Sequence, residues 1–414
     1  MDNLTHALVG AAIAKAGAER ATPLATATLV VAANAPDVDM LAFVEGEYYA
    51  LAFRRGITHG WVAMLVLPLA VAGLMLAWDR LIRRRRDPAA DPARAGPVMA
   101  LSALGLLTHP MLDWMNIYGM RWGLPFDGSW SYADALFIID PWIWLVLGGS
   151  VFLASSPGKW GRMGWAALAL VASALVWLAL PPLAGAVWTA GVAGVLVARL
   201  RSVRRPPQTA QESREEPPAR ERRSRSERRT SIRRAQPDDR VAGGRRTPRV
   251  RLVRVAGALA IVYILAMAAA NVVARWHVAR AALAEGLVVR DLMVAPARGN
   301  PFAADVEVRT DDAFVPGVHR WLEQPRVELF PVAAVPLLTT PADAPPDVMA
   351  RVVDEARGTP SARNYLVWSR YPYVRVDAEG GGWRVRFSDA RYDGEPDAGG
   401  LSGVSVRVDQ DGAR

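Results

Sequence analysis

The chain has 414 residues, 52% of them apolar and only 21% charged, with 15 Trp. Several Trp close long apolar runs, as rings anchored at a membrane interface do, so an ordinary soluble protein is excluded. The net charge of +9 is local, because residues 201–251 hold 17 Arg against 7 Asp and Glu and leave the remainder close to neutral. A globally cationic nucleic-acid-binding domain is therefore not indicated. The chain has no Cys, which excludes disulfides, thiol catalysis and Cys-ligated zinc. Lys occurs only at 15 and 159, which argues against a Lys-based phosphate loop or Schiff base.

The N-terminal run MDNLTHALVGAAIAKAG has no basic n-region or cleavage site and is read as mature protein. Apolar stretches recur at 61–80, 97–117, 135–156, 163–183, 186–200 and 252–274, the longer ones near the ~20 residues that cross a bilayer. Residues 4–16 and 22–36 are shorter and Ala-rich, which predicts a helical hairpin entering the membrane only in part. The expected count is five to eight membrane segments.

Orientation follows from basic residues at the segment ends. Arg83 to Arg86, then Lys159 with Arg162, then Arg199, Arg201, Arg204 and Arg205 all fall on one side when the segments are threaded in order. Lys15 and Arg20 agree. That side is the cytoplasm, so 37–58, 118–134 and everything after 275 lie beyond it.

Residues 203–250 are poor in apolar residues and rich in Arg, Glu, Ser and Pro, a composition that predicts disorder. A solvated cytoplasmic loop near anionic headgroups explains the Arg better than nucleic-acid contact, since interleaved aromatics are absent. Beyond 275, short runs at 287–294, 303–309, 365–377, 382–387 and 403–408 alternate with Gly, Pro and Asp turns and predict an antiparallel β domain. A helix is expected at 347–357. The fold class is thus mainly α, a polytopic α-helical membrane bundle with a C-terminal β-rich extracytoplasmic domain. Its parts are a membrane-embedded unit at 1–200, a disordered Arg-rich linker at 201–251, a transmembrane helix at 252–274 and the β-rich domain at 275–414.

Three of the five His stand in conspicuous settings: His6 in NLTHALVG, His59 in RRGITHGW and His109 in LLTHPMLDW. Asp37 and Asp39 lie in NAPDVDML, Asp113 follows His109 by four residues, and Asp140 stands in FIIDPW. Ionisable groups in or at the mouth of membrane segments are costly when unpaired, which marks them as functional candidates. His109 and Asp113 project from one helix face and can reach one metal ion, although the same spacing also arises as a plain surface pair. Asp-x-Asp after Pro also reads as a helix cap or turn. The Arg-derived topology brings all seven groups to one leaflet, and that topology used no His or Asp. Three His and four Asp suit one or two divalent ions of the zinc, manganese or iron type. Two such ions ~3.5–4 Å apart would activate a water against a phosphoester. A proton or ion pathway is the competing account, but no internal repeat is visible.

The runs MDNLTHALVG, NAPDVDML, RRGITHG, LLTHPMLDWMNIYG and SYADALFIIDPW resemble the YdjM-like family of inner-membrane, metal-dependent hydrolases over about residues 1–150. DLMVAPARGNPF, WSRYP and SDARYDG resemble the extracytoplasmic tail of its longer members. The HxxxD pair is more distantly similar to that of the zinc-dependent phospholipase C and P1 nuclease group. The resemblance implies His6, Asp37, Asp39, His59, His109 and Asp113 as metal ligands, and Asp37 or Asp39 is the candidate to bridge two ions. It adds Asp140 as a further ligand or general base. Asn116, Trp114 and Tyr118 follow the HxxxD pair at helical spacing and are candidates to line the site, although interface packing explains them better. Arg275 and Arg280, beside His277, are candidates for a substrate phosphate, against a plain juxtamembrane surface; His319 reads as structural.

The expected function is a membrane-bound, divalent-metal-dependent hydrolase that cleaves an ester or phosphoester of a lipid-like substrate. It would act at the outer face of a bacterial inner membrane. One or two ions are expected, zinc foremost and manganese or iron otherwise. Expected partners are membrane lipids, the lipid-like substrate and an envelope protein through the C-terminal domain, without nucleic acid. The alternative is a non-enzymatic membrane protein, either a metal or proton transporter or an envelope scaffold.

Overall fold

The computed structural model describes residues 1–204, 239–393 and 399–409. The expected disorder at 205–238 lies outside the described residues. Among those described, six helices are long and apolar enough to cross a bilayer.

The first unit is built from α1 (Asn3–Lys15), α2 (Ala25–Asn34), α3 (Glu47–Phe53), α4 (Trp61–Trp78) and α5 (Ala95–Trp114). Asp2 caps α1, its carboxylate accepting from the Thr5 N–H at 3.0 Å and the Thr5 hydroxyl at 2.6 Å. Lipid supplies no hydrophobic drive between helices, so α1, α2 and α5 pack through small residues. A Cβ on Gly10 would meet the Leu29 carbonyl oxygen at 2.7 Å, and one on Gly105 would meet the same atom at 2.9 Å. Leu29 is fully buried between Ala14, Ala25 and Leu101. The predicted hairpin of 4–16 and 22–36 is present as α1 and α2. A 3-10 segment, Ala35–Glu45, then extends α2 into an apolar run long enough to span.

Next come α6 (Pro141–Ala154), α7 (Lys159–Ala179), α8 (Pro182–Arg204) and α9 (Asp239–Ala284). Helix α6 starts six residues later than the apolar run at 135, because Asp140 caps it and Pro141 occupies its first turn. Leu8, Ile143, Trp144, Leu147, Val176, Trp188 and Met267 form the core that joins these helices to α1. Two linker boundaries shift: residues 201–204 finish α8 and 239–251 already belong to α9. Helix α9 also runs ten residues beyond 274, because Ala274, Val278 and Ala282 pack on the sheet that follows.

The C-terminal region holds two sheets. The first pairs β1 (Asp291–Ala297), β2 (Asn300–Arg309), β3 (Ala313–Arg320) and β4 (Val327–Leu329) antiparallel in that order, with β5 (Val335–Pro336) also on β3. The second has the order β6 (Leu338–Thr339), β7 (Pro372–Glu379), β8 (Gly382–Asp389) and β9 (Val404–Asp409), and β6–β7 is parallel, a departure from the all-antiparallel expectation. Helix α10 (Pro346–Arg357) matches the predicted 347–357 helix, and α11 (Pro360–Trp368) covers the second sheet. The predicted strand 365–377 is corrected at its start: Tyr365 and Trp368 are fully buried on α11, and the strand begins at Pro372.

This β-rich region sits on the loops beside the first unit. Arg370 pairs with Asp134 at 2.9 Å, Arg391 donates to the Ile117 carbonyl at 2.8 Å, and Gly400 N–H donates to Glu47 at 2.8 Å. Leu51 and Tyr118 join the α10–α11 core.

Candidate metal centre

Three connections of the first unit converge at one end of the bundle. The 3-10 turn after α2 delivers Asp37 and Asp39, the turn between α3 and α4 delivers Arg54, Arg55 and His59, and the last two turns of α5 deliver His109 and Asp113. All seven side chains between them lie at 18% exposure or less, and those of His59, His109 and Asp113 at 1% or less. Buried ionisable groups at this density must satisfy one another or hold an ion.

Asp37, His59, His109 and Asp113 each offer one donor atom, and these atoms lie within 4.8 Å of one another. His59 Nε2 and His109 Nε2 are 3.0 Å apart. Asp113 Oδ2 lies 3.3 Å from the first and 3.5 Å from the second, and Asp37 Oδ1 lies 4.0 and 3.8 Å away.

Outer hydrogen bonds set the tautomers. His109 Nδ1–H donates to the Ala33 carbonyl at 2.6 Å. His59 Nδ1–H faces the Thr58 hydroxyl at 2.9 Å and Asp39 Oδ2 at 3.3 Å, while Thr58 donates to that same Asp39 oxygen at 3.1 Å. Both Nε2 lone pairs therefore point at each other and at Asp113 Oδ2, which accepts no hydrogen bond. Facing lone pairs with a carboxylate between them repel unless a cation joins them. Two imidazoles and two carboxylates suit zinc, iron or manganese, so the residues present fit a divalent ion.

The remaining expected ligands are placed differently. Asp39 lies behind His59, where it accepts from the Arg55 N–H at 2.9 Å, and so orients a ligand from outside the quartet. His6 stacks on His109 at 3.8 Å between ring centroids and its Nε2 meets Asp113 Oδ1 at 3.1 Å. The Met1 amino group contacts that same oxygen. Asp140 is drawn elsewhere: its carboxylate accepts from the N–H groups of Trp142 and Ile143 and from the Tyr263 hydroxyl at 2.8 Å, none of them part of the cluster. Arg275 donates to the Leu292 carbonyl at 2.7 Å and lies 3.9 Å from Asp134, at the β-domain junction. Trp114 donates to Ser131 at 2.9 Å.

Asn116 and Tyr118 do border the centre, through a residue the sequence reading passed over. Arg55 is 2% exposed. Its Nε lies 2.9 Å from Asp113 Oδ2, out of hydrogen-bond alignment, and its guanidinium donates to Asn116 Oδ1 at 2.7 Å and covers the Tyr118 ring at 4.6 Å. Burial pushes the Tyr118 phenol up to about 12 against the opposing pull of Arg54 and Arg55, so it stays neutral. The Arg55 backbone sits at φ +50°, a left-handed position that costs about 1–3 kcal/mol in a non-Gly residue. Asp39 on its N–H and the Arg121 N–H on its carbonyl hold it there. Arg54 spans Asp37 at 3.6 Å and Asp39 at 3.5 Å and keeps 18% of its side chain exposed. Two Arg just before a membrane segment were the available signal, since a buried charge there needs a partner. Asn3, which donates to Asp37 Oδ2 at 2.8 Å, carried no such signal.

A family model described as YdjM inner membrane protein matches residues 1–185, the stretch that contains every residue of this centre. No curated protein matches the chain, and no solved structure matches it. With six apolar helices of spanning length, the match supports a multi-pass membrane protein with a cluster that can hold a metal ion.

Proposed function

We propose that this protein is a membrane-embedded, divalent-metal-dependent hydrolase that cleaves an ester or phosphoester of an amphiphilic substrate. The observation that carries the reading is the convergence of two Nε2 lone pairs on an Asp113 oxygen that accepts no hydrogen bond. Asp37, His59, His109 and Asp113 would hold the ion. A divalent ion there supplies Lewis acidity and lowers the pKa of a coordinated water.

The chain's own groups divide the remaining work. Asp39 and Thr58 fix the His59 tautomer, and the Ala33 carbonyl fixes that of His109. Arg55 restrains Asp113. Arg54, the only one of these cations with appreciable exposure, is placed to meet anionic substrate oxygens, the part first assigned to Arg275. Val38, Leu41 and Val44 are 52%, 69% and 85% exposed on the segment that carries Asp37 and Asp39. An apolar rim of that kind favours a substrate arriving in the plane of the membrane. With the Arg-derived orientation, this end and the β-rich region lie at the outer face of an inner membrane.

A non-enzymatic reading draws on one specific contact, the Arg55–Asp113 pair, which neutralises part of the cluster without an ion. Elemental analysis of the detergent-purified chain separates the two. The hydrolase reading expects one or two equivalents of zinc, manganese or iron, followed by release of product from lipid phosphoesters. Protein that stays metal-free after incubation with each ion sinks it.

A further inference from the structure

A second feature lies along the flank of α1, running from beside its first turns toward the bundle end away from the metal donors. A cavity of about 500 Å³ lies between α1, α6, α7 and α8. Leu4 and Leu8 of α1, Trp144 and Phe152 of α6 and Val192 of α8 contribute to its walls, which are apolar except for Arg162 and Ser173. Ser173 accepts from the Trp188 indole N–H at 2.9 Å, so the polar group at that end is already satisfied. From Ser173 to Arg162 the cavity follows α7 for roughly 16 Å, about half of the ~30 Å hydrocarbon core.

Its other end is basic. Arg162 lines the cavity itself and Lys159 lies one turn before it, both exposed. Arg199 stacks on Phe152, a wall residue, at 5.4 Å and donates to the Ser155 carbonyl at 2.9 Å. Arg249 reaches Ser156 at 2.7 Å. Among the described residues no carboxylate pairs with any of the four. Basic pockets between membrane helices are the usual receptors for anionic headgroups.

We propose that this cavity is a binding site for one anionic glycerophospholipid. An acyl chain fills the apolar groove, and the headgroup phosphate sits among Lys159, Arg162 and Arg199. Charge complementarity at one end, apolar walls beyond it and a depth of one leaflet together select that occupant over a second copy of the chain.

The test is native mass spectrometry of the full chain, stripped of lipid in detergent and then offered phosphatidylglycerol or phosphatidylcholine with identical acyl chains. One phosphatidylglycerol per chain should be retained, at least tenfold more tightly than phosphatidylcholine. Lys159→Gln with Arg162→Gln should level that preference, whereas Ala169→Trp, placed in the groove wall, should expel both lipids. If Ala169→Trp does not fold, Ala166→Phe serves the same purpose. Equal retention of the two lipids by the unaltered chain overturns the proposal. So does a groove-filling variant that folds and keeps its lipid, or a lipid-free dimer whose association the same variants abolish.

Discussion

Histidines meet in two places in this chain, at the same separation and in different company. At the bundle end, His59 Nε2 and His109 Nε2 lie 3.0 Å apart with Asp37 and Asp113 around them. At the β-domain junction, His277 Nδ1 and His319 Nε2 are also 3.0 Å apart, with rings stacked at 10°. Trp321 packs against the second pair, and among the described residues no carboxylate forms an ion pair with it. In the first pair an outer acceptor claims each far nitrogen, which leaves two lone pairs facing each other. In the second no acceptor reaches His319 Nδ1, so the pair can close its own hydrogen bond. The spacing of imidazoles thus says little about metal binding; what stands behind each ring decides it.

The sharpest way to break this contrast is to exchange the losses. His109→Ala with Asp113→Ala should reduce bound metal to less than a tenth of the unaltered protein by elemental analysis. His277→Ala with His319→Ala should leave it unchanged. If both pairs of substitutions lose metal equally, the contrast between the two sites is wrong.

The outer acceptor comes next in size. Asp39→Ala removes no member of the quartet, yet it should weaken metal retention about 10–100-fold in a chelator competition. Asp140→Asn in the same assay should stay within about twofold, because its carboxylate serves a helix start and Tyr263.

The smallest effect concerns pH and the second pair. Burial first, then the charges of His277 and Arg326, lower the His319 pKa to about 4. The unfolded chain therefore binds more protons between about pH 6.5 and 4, and stability falls as pH drops through that window. The loss should be about 1 kcal/mol after allowing for solvent screening. His319→Leu should flatten it in thermal melts followed by Trp fluorescence, and an unchanged slope would remove His319 as its source.

Much of this was legible in the sequence, for reasons that differ by region. Apolar runs of bilayer length show because lipid imposes a simple composition, and LLTHPMLDW shows because His and Asp one turn apart are conspicuous on such a background. The start of α6 at Pro141 was hidden, since capping by Asp140 overrode the apolar run before it. The turn from α11 to β7 was hidden for another reason: YLVW is β-rich by composition, yet burial of Tyr365 and Trp368 makes it helical. At the metal centre, sequence supplied the side-chain types but not their rank. Asp39 and Asp37 are two residues apart and chemically alike, and only the fold separates the orienting carboxylate from the donor. Arg275 looked apt because it stands beside His277 and Arg280, but the fold sets it at the β-domain junction, where it donates to the Leu292 carbonyl.

All four donors, the acceptors behind them and the Arg55–Asn116 contact lie within the first 116 residues. A chain emerging from the ribosome at ~5–20 residues per second completes that stretch long before it reaches Arg370 and Arg391. The centre can therefore close early, from three neighbouring turns, and the β-rich region arrives afterwards as a lid latched through Asp134 and Ile117. Assembly in that order gives a newborn chain a cluster that can hold a metal ion before it has a cover.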